Sequence, residues 1–166
     1  MKRIYLAGFD VFREDALTYG ANLKLMCHRY GFEGLYPLDN ACPVDLQARA
    51  AAQWIYESNL ALIRQADILM ANLNDFRGHE PDSGTCFEIG FAKALNLPTW
   101  AYCSTQAALI EQVPHTRTMR GQCVDAQDYA IEDFGLPRNL MLSCSTNIVY
   151  GDVADCLAQI AAGERL

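Results

Sequence analysis

The stretch DILMANLNDFRGHEPDSGTCFEIGFAKALNLPTWAYC, Asp67 to Cys103, contains strand, loop, helix and strand in succession. Asp67 to Leu73 has the composition of a buried strand, and a polar loop with a glycine follows it. Asp82, Ser83 and Thr85 are all residues that cap helix N-termini, and the segment after them is helical in composition, with Glu88 and Lys93 almost its only polar side chains. Pro98 then precedes a second strand, Thr99 to Cys103. Glu88 is expected in or near the first turn of the helix. There the free N–H groups and the helix dipole favour an ionised carboxylate by about 0.3–1 kcal/mol at an exposed site. An ionised carboxylate at the mouth of an apolar pocket suits nucleophilic attack on an electron-poor carbon. Thr85-x-x-Glu88 also matches a capping box, in which Glu88 would be a structural N3 residue. The local pattern leaves both readings open.

The same alternation extends outward. Lys2 to Ala7 reads as a strand ending at Gly8, Ala16 to Arg29 as a helix ended by Gly31, and Glu33 to Leu38 as a second strand followed by Asp39-Asn40. Asp45 is a candidate cap for a helix from Leu46 to about Gln65, with Ala50, Trp54, Leu60 and Ile63 on one apolar face. After Cys103, Gln106 to Gln127 reads as a loop with a short helix, Phe134 to Ser143 as a turn presenting Asn139, and Gly151 to Ala162 as an amphipathic helix. The βαβαβαβ order predicts an α/β fold, a single domain over residues 1–166 with a doubly wound, mostly parallel sheet flanked by helices, of flavodoxin or Rossmann-like type. In such sheets ligands bind at the carboxyl ends of the strands. The loops Gly8-Phe9-Asp10, Asp39-Asn40 and Asn74 to Asp82 should therefore converge on one crevice beside Glu88.

Composition narrows the function. A chain of 166 residues, 51% hydrophobic, suits one well-cored domain. A net charge of −7, with no run of Lys or Arg, argues against a nucleic-acid polymer as partner. The seven cysteines are scattered without a C-x-x-C pair and there are three histidines, so no metal site is expected. The odd cysteine count and the absence of a leader sequence predict a reduced, cytoplasmic setting. No apolar run approaches the roughly 20 residues that span a bilayer. Neither G-x-G-x-x-G nor G-x-x-x-x-G-K-[ST] follows the first strand, so no cofactor is expected and a small uncharged ligand fits best.

Two long motifs, FRGHEPDSGTCFEIG (Phe76 to Gly90) and GLPRNLML (Gly135 to Leu142), resemble those of bacterial and protozoal nucleoside 2-deoxyribosyltransferases. IYLAG (Ile4 to Gly8), PLDN (Pro37 to Asn40) and the spacing of Asn59 before Ala66-Asp67-Ile68 extend the resemblance over nearly the whole chain, except about Ser104 to Tyr129 and the end of the tail. The resemblance implies that Glu88 is a nucleophile attacking C1′ of a 2′-deoxynucleoside. A covalent deoxyribosyl ester forms, and a second base attacks it, so two inversions retain configuration. It also implies that Tyr5 orients Glu88, that Asp82 binds the sugar hydroxyls, and that Asn139 and Met141 reach the pocket of a neighbouring subunit in a homo-oligomer. Gly8, Phe9, Asp39 and Asn59 complete the expected substrate-binding set.

Where family members place an aspartate that protonates the leaving base, this chain has Asn59, and an amide cannot supply a proton in that way. Asp39, Asp75, His79 and Glu80 are the alternative acids. Some members use a terminal carboxylate in the site; here the tail GERL runs on past Tyr150, so that role is not carried to Leu166. The family resemblance leaves two competing functions. One is N-glycoside hydrolysis of 2′-deoxynucleoside 5′-monophosphates, against which stands the acidic loop GFDVF where related hydrolases carry a Ser- and Arg-rich phosphate loop. The other is a non-catalytic nucleoside or nucleotide sensor, against which stand Glu88 and Tyr5.

Overall fold

A strand with both faces covered must be apolar at every position, and the first strand meets that condition from Ile4 to Ala7. In the computed structural model, which describes residues 1–164, β1 (Lys2–Ala7) sends Ile4 and Leu6 into one core and Tyr5 and Ala7 into another, as the two-residue period of a strand dictates. In chain order there follow α1 (Ala16–Arg29), β2 (Phe32–Leu35), α2 (Ala48–Gln65), β3 (Ile68–Asn72) and α3 (Ser83–Ala94). The second half comprises β4 (Thr99–Cys103), the short α4 (Leu109–Gln112), β5 (Thr116–Arg117), β6 (Cys123–Val124), α5 (Leu140–Ser143), β7 (Asn147–Tyr150) and α6 (Val153–Gly163).

Five strands form one sheet in the order β2-β1-β3-β4-β7, with every neighbouring pair parallel. β5 and β6 make a small antiparallel ribbon apart from it. The first core packs Leu23 and Cys27 of α1 and Cys156, Leu157 and Ile160 of α6 against Ile4, Leu6, Ile68 and Met70. The second packs Leu60 and Ile63 of α2, Ile89 and Ala92 of α3 and Leu142 of α5 against Tyr5, Ala7, Leu69 and Ala71. This is the doubly wound α/β arrangement with flavodoxin-like strand order. The order reverses between β1 and β3, so a crevice opens where their carboxyl ends, Ala7 and Asn72, diverge. Among the described residues no helix is long and apolar enough to cross a membrane.

Several boundaries differ from the sequence expectation. The second strand stops at Leu35 because Pro37, which has no N–H for a ladder, opens a 3-10 turn over Pro37–Asp39. Asp45 does not cap α2: the helix begins after Gln47, which makes no side-chain cap. Ala50 is exposed and Trp54 half-buried, so the first half of α2 stands off the sheet and only its second half, with Leu60 and Ile63, is buried. The segment after Cys103 holds the β5–β6 ribbon as well as the short helix. A fifth strand, β7, escapes a pattern reading because it is a four-residue edge strand. Leu166 lies outside the described residues.

Ile89 is 1% exposed and holds α3 against the sheet. Ile89→Ala is expected to lose about 2–5 kcal/mol in urea unfolding, whereas Leu17→Ala, at a position 72% exposed, should stay within about 0.5 kcal/mol of wild type.

Candidate active site

The N-terminus of α3 decides what Glu88 can do. Asp82 is the N-cap: its Oδ2 accepts from the Thr85 backbone N–H at 3.0 Å and from the Thr85 hydroxyl at 3.1 Å. Gly84 makes room for that carboxylate, since a Cβ there would stand 3.0 Å from Asp82 Oδ2. With Asp82 as cap, Glu88 falls in the second turn and not at N3, which corrects the first-turn placement and removes the Thr85 capping box. The carboxylate instead turns toward the sheet, where the Tyr5 hydroxyl donates to its Oε1 at 2.5 Å.

The electrostatic expectation is also corrected. One turn beyond the free N–H groups the helix dipole is weak, and burial pushes the Glu88 carboxyl up to about 7, with the charge of Asp82 adding and the Tyr5 hydrogen bond opposing. Burial, then the charge and hydrogen bond of Glu88, drive the Tyr5 hydroxyl far above its ordinary value, so it remains a neutral donor.

The first loop closes one side of the crevice. Gly8 passes so near β3 that a Cβ would meet the Asn72 side chain at 2.9 Å. The Asn72 amide donates to the buried Asp10 carboxylate at 2.9 Å, and its oxygen accepts from the Asn74 backbone and side chain. Phe9 and Phe12 both stack on Phe76, at centroid distances of 5.0 and 5.4 Å, and the Arg77 guanidinium lies 4.6 Å from the Phe76 centroid. The third loop is thereby pinned to the first. Its turn is closed by the Phe76 N–H on Glu80 O at 3.0 Å, with Arg77 at φ 55 and Gly78 at φ 143.

The other expected residues fall into three situations. Asp39 pairs with Lys24 and accepts from the Tyr36 N–H, so it caps its own turn. Asn59 has a buried amide oxygen with no hydrogen-bond partner among the described residues. Asn139 is the N-cap of α5, accepting from the Met141 N–H and donating to Glu132 at 2.6 Å. Asn139 and Met141 border a cavity of about 650 Å³ whose α3 wall includes Ser83, Cys86, Gly90 and Lys93. Those positions repeat at three and four residues, so they share one side of α3, and Glu88, two residues from both Cys86 and Gly90, projects from the other. Within one chain this cavity therefore lies across α3 from the Tyr5–Glu88 pair.

Among the candidate acids, Asp75 is paired with Arg138, and Glu80 has its carboxyl raised by desolvation first, with Glu132 and Asp75 adding and Arg138 and His79 opposing. Two features were missed by the sequence reading. Asn72, a polar residue closing an apolar strand, gave a signal; so did Arg138, the one charged residue in GLPRNLML.

The sequence profile described as nucleoside 2-deoxyribosyltransferase matches residues 4–141. The chain belongs to the nucleoside 2-deoxyribosyltransferase family. The solved structure of a 2-desoxiribosyltransferase from Leishmania mexicana is 29% identical, covers 98% of each chain and superposes with a TM-score of 0.79. The fold is shared at lower identity by a 2-deoxyribosyltransferase from Bacillus psychrosaccharolyticus (22%, 82% of this chain and 96% of that one, TM-score 0.53). It is shared also by a CMP N-glycosidase from Clostridium botulinum (18%, 97% and 99%, TM-score 0.51). No curated protein matches the chain. Among the described residues of this deoxyribosyltransferase family member, no group of three or more His, Cys, Asp or Glu is placed to hold a metal ion.

The raised Glu88 carboxyl carries a stability cost with a definite sign. The folded chain holds its proton up to about 7 while the unfolded chain releases it near 4.5, so stability falls as pH rises between those values and the loss is complete above them. Glu88→Gln removes the cost. Urea unfolding should find the variant more stable than wild type by about 1–3 kcal/mol at pH 8, with the two converging below about pH 4; a gap unchanged by pH would contradict the burial argument.

Proposed function

We propose that this family member exchanges the nucleobase of 2′-deoxyribonucleosides through a covalent deoxyribosyl–Glu88 ester, as a salvage transferase. The observation that carries the reading is the 2.5 Å Tyr5–Glu88 hydrogen bond between β1 and α3. Tyr5 occupies Oε1 and orients Oε2 for attack on C1′. As the new O–C1′ bond forms, the C1′–N bond breaks and its electron pair leaves with the base, which takes up a proton. A second base then attacks C1′, releases its own proton, and returns Glu88 as carboxylate with the β configuration kept. A 2′-hydroxyl would withdraw electrons from the oxocarbenium-like transition state, so the deoxy sugar reacts more readily.

The remaining roles follow from free valences. Thr85 engages one oxygen of Asp82, which leaves Oδ1 for a sugar hydroxyl. A buried amide oxygen without a donor costs about 1–3 kcal/mol, so Asn59 is poised to accept an N–H from the base. Glu80, whose carboxyl is raised, is the acid best suited to protonate the leaving base. Phe9, in the aromatic stack beside Gly8, offers its ring to the base, and Asp39 lies on the neighbouring loop. Met141, 71% exposed beside the apolar cavity, supports a homo-oligomer in which it and Asn139 complete the pocket of a second copy. No cofactor enters these steps, and seven free cysteines fit a reducing, cytoplasmic setting.

Asp10, 6% exposed and held by Asn72 beside Gly8, favours uncharged nucleosides over 5′-monophosphates, the substrates of the hydrolase alternative. The fold shared with a CMP N-glycosidase keeps that alternative in the test, along with a sensor that binds without turnover.

With deoxyadenosine and free cytosine, chromatography should show adenine and deoxycytidine appearing together, and adenosine should react far more slowly. Adenine with free deoxyribose alone would indicate hydrolysis, and turnover of monophosphates in preference would refute the role given to Asp10. The first half-reaction should accelerate as pH rises through about 7, where Glu88 ionises. Glu88→Ala should lose exchange by about 10⁴-fold or more with the fold intact, and Asn139→Ala by about 10-fold or more; a fully active monomer of the latter would refute the shared pocket.

A further inference from the structure

A guanidinium buried to 1% exposure requires a partner for nearly every donor, and the partners of Arg138 span both halves of the site. Its Nε donates to Leu73 O at 2.6 Å, at the end of β3. Nη2 donates to Asp75 Oδ1 at 2.7 Å. Nη1 donates to Gln112 Oε1 at 2.8 Å, Pro137 O at 3.2 Å and His79 O at 3.4 Å. Leu73, Asp75 and His79 belong to the segment that ends in Asp82, the cap of the Glu88 helix. Pro137 and the Arg138 backbone belong to the segment that begins α5. The Arg138 carbonyl accepts from the Ser143 hydroxyl at 2.9 Å, and Gln112 also donates to Pro137 O at 2.9 Å. One side chain thus ties the loop that shapes a chain's own Glu88 pocket to the tip that bears Asn139 and Met141.

We propose that Arg138 is a positioning residue for two active sites at once: it sets the Asp75–Asp82 loop of its own chain's pocket and the Asn139–Met141 tip that enters the pocket of another copy. The second half rests on the shared-pocket reading above. The geometry demands a planar fork, since the carbonyl of Leu73, the amide of Gln112 and the carboxylate of Asp75 take hydrogen bonds from three different nitrogens. A lysine ammonium, a single point donor, cannot span them.

Mixed assemblies separate these roles. Glu88→Ala disables only the pocket of its own chain, and Asn139→Ala only the pocket its tip enters, so mixing the two variants should restore exchange through the combination that retains both residues. Arg138→Met should be restored by neither partner: with Glu88→Ala the surviving nucleophile sits behind a displaced loop, and with Asn139→Ala the surviving pocket receives a displaced tip. Arg138→Lys, which keeps the buried charge and is expected to keep the assembly size with a lowered but still cooperative melt, should raise KM for the deoxynucleoside at least 10-fold and show the same failure of restoration; it decides the matter if Arg138→Met does not fold. Restoration of either Arg138 variant by Glu88→Ala, to the level Asn139→Ala reaches, would confine Arg138 to the tip and overturn the proposal. Failure of the Glu88→Ala and Asn139→Ala mixture would overturn the shared pocket itself, a result independent of any Arg138 variant.

Discussion

A carboxylate half-buried against a sheet must find a donor or take up a proton, and the architecture around Tyr5 and Glu88 answers that constraint. Tyr5 is fully buried in the middle of β1, on the face covered by α2 and α3. Its hydroxyl reaches Glu88 because α3 is anchored by Ile89 and Ala92 and capped by Asp82 six residues upstream. The single hydrogen bond offsets only part of the desolvation, so the carboxyl remains raised to about 7. That balance is chemically useful. A carboxylate bound tightly by several donors would be stable and a poor nucleophile, whereas one donor fixes an oxygen and leaves the other short of solvation.

The alternation of strands and helices was legible because each long element has a pure period or a pure apolar run. Lys2–Ala7, Asp67–Leu73 and Thr99–Cys103 read as strands, the second of them as buried, and the Gly and Pro residues between elements punctuate them. Burial in parallel sheets makes such runs continuous. β7 was illegible for the complementary reason: as an edge strand of four residues it is half-covered and too short to establish a period. Glu88 was legible as the one carboxylate in an apolar helix, but its environment was not. Asp82, Ser83 and Thr85 are all competent caps, and only the packed loop selects Asp82. A shift of three residues in the cap moves Glu88 from the dipole's reach to the sheet and reverses the sign of its pKa change.

Loop contacts were the least legible part. The stack of Phe9, Phe12 and Phe76 joins residues far apart in sequence, and no local pattern announces that two loops will share an aromatic interface. The same holds for Asp10, whose partner Asn72 lies on another strand. Arg138 is an intermediate case. A lone cation within an apolar octapeptide signals either a surface position or a fully satisfied burial, and the choice depends on carbonyls contributed by the loop that follows β3.

Helix α3 has two sides with different surroundings. One side presents Glu88 to the sheet. The other forms, with α5, an apolar cavity bordered by Asn139 and Met141. Met141 borders the cavity on the far side of α3 from Glu88, and its neighbour Leu142 is held in the core. If both sides serve one reaction, they must do so across a contact between copies, and any element shared by both sides inherits control of both. Arg138 is such an element, since its buried charge tolerates no rearrangement that leaves a donor unpaired. The cost of burying it is justified structurally only by what it joins: the end of β3, the loop leading to Asp82 and the start of α5.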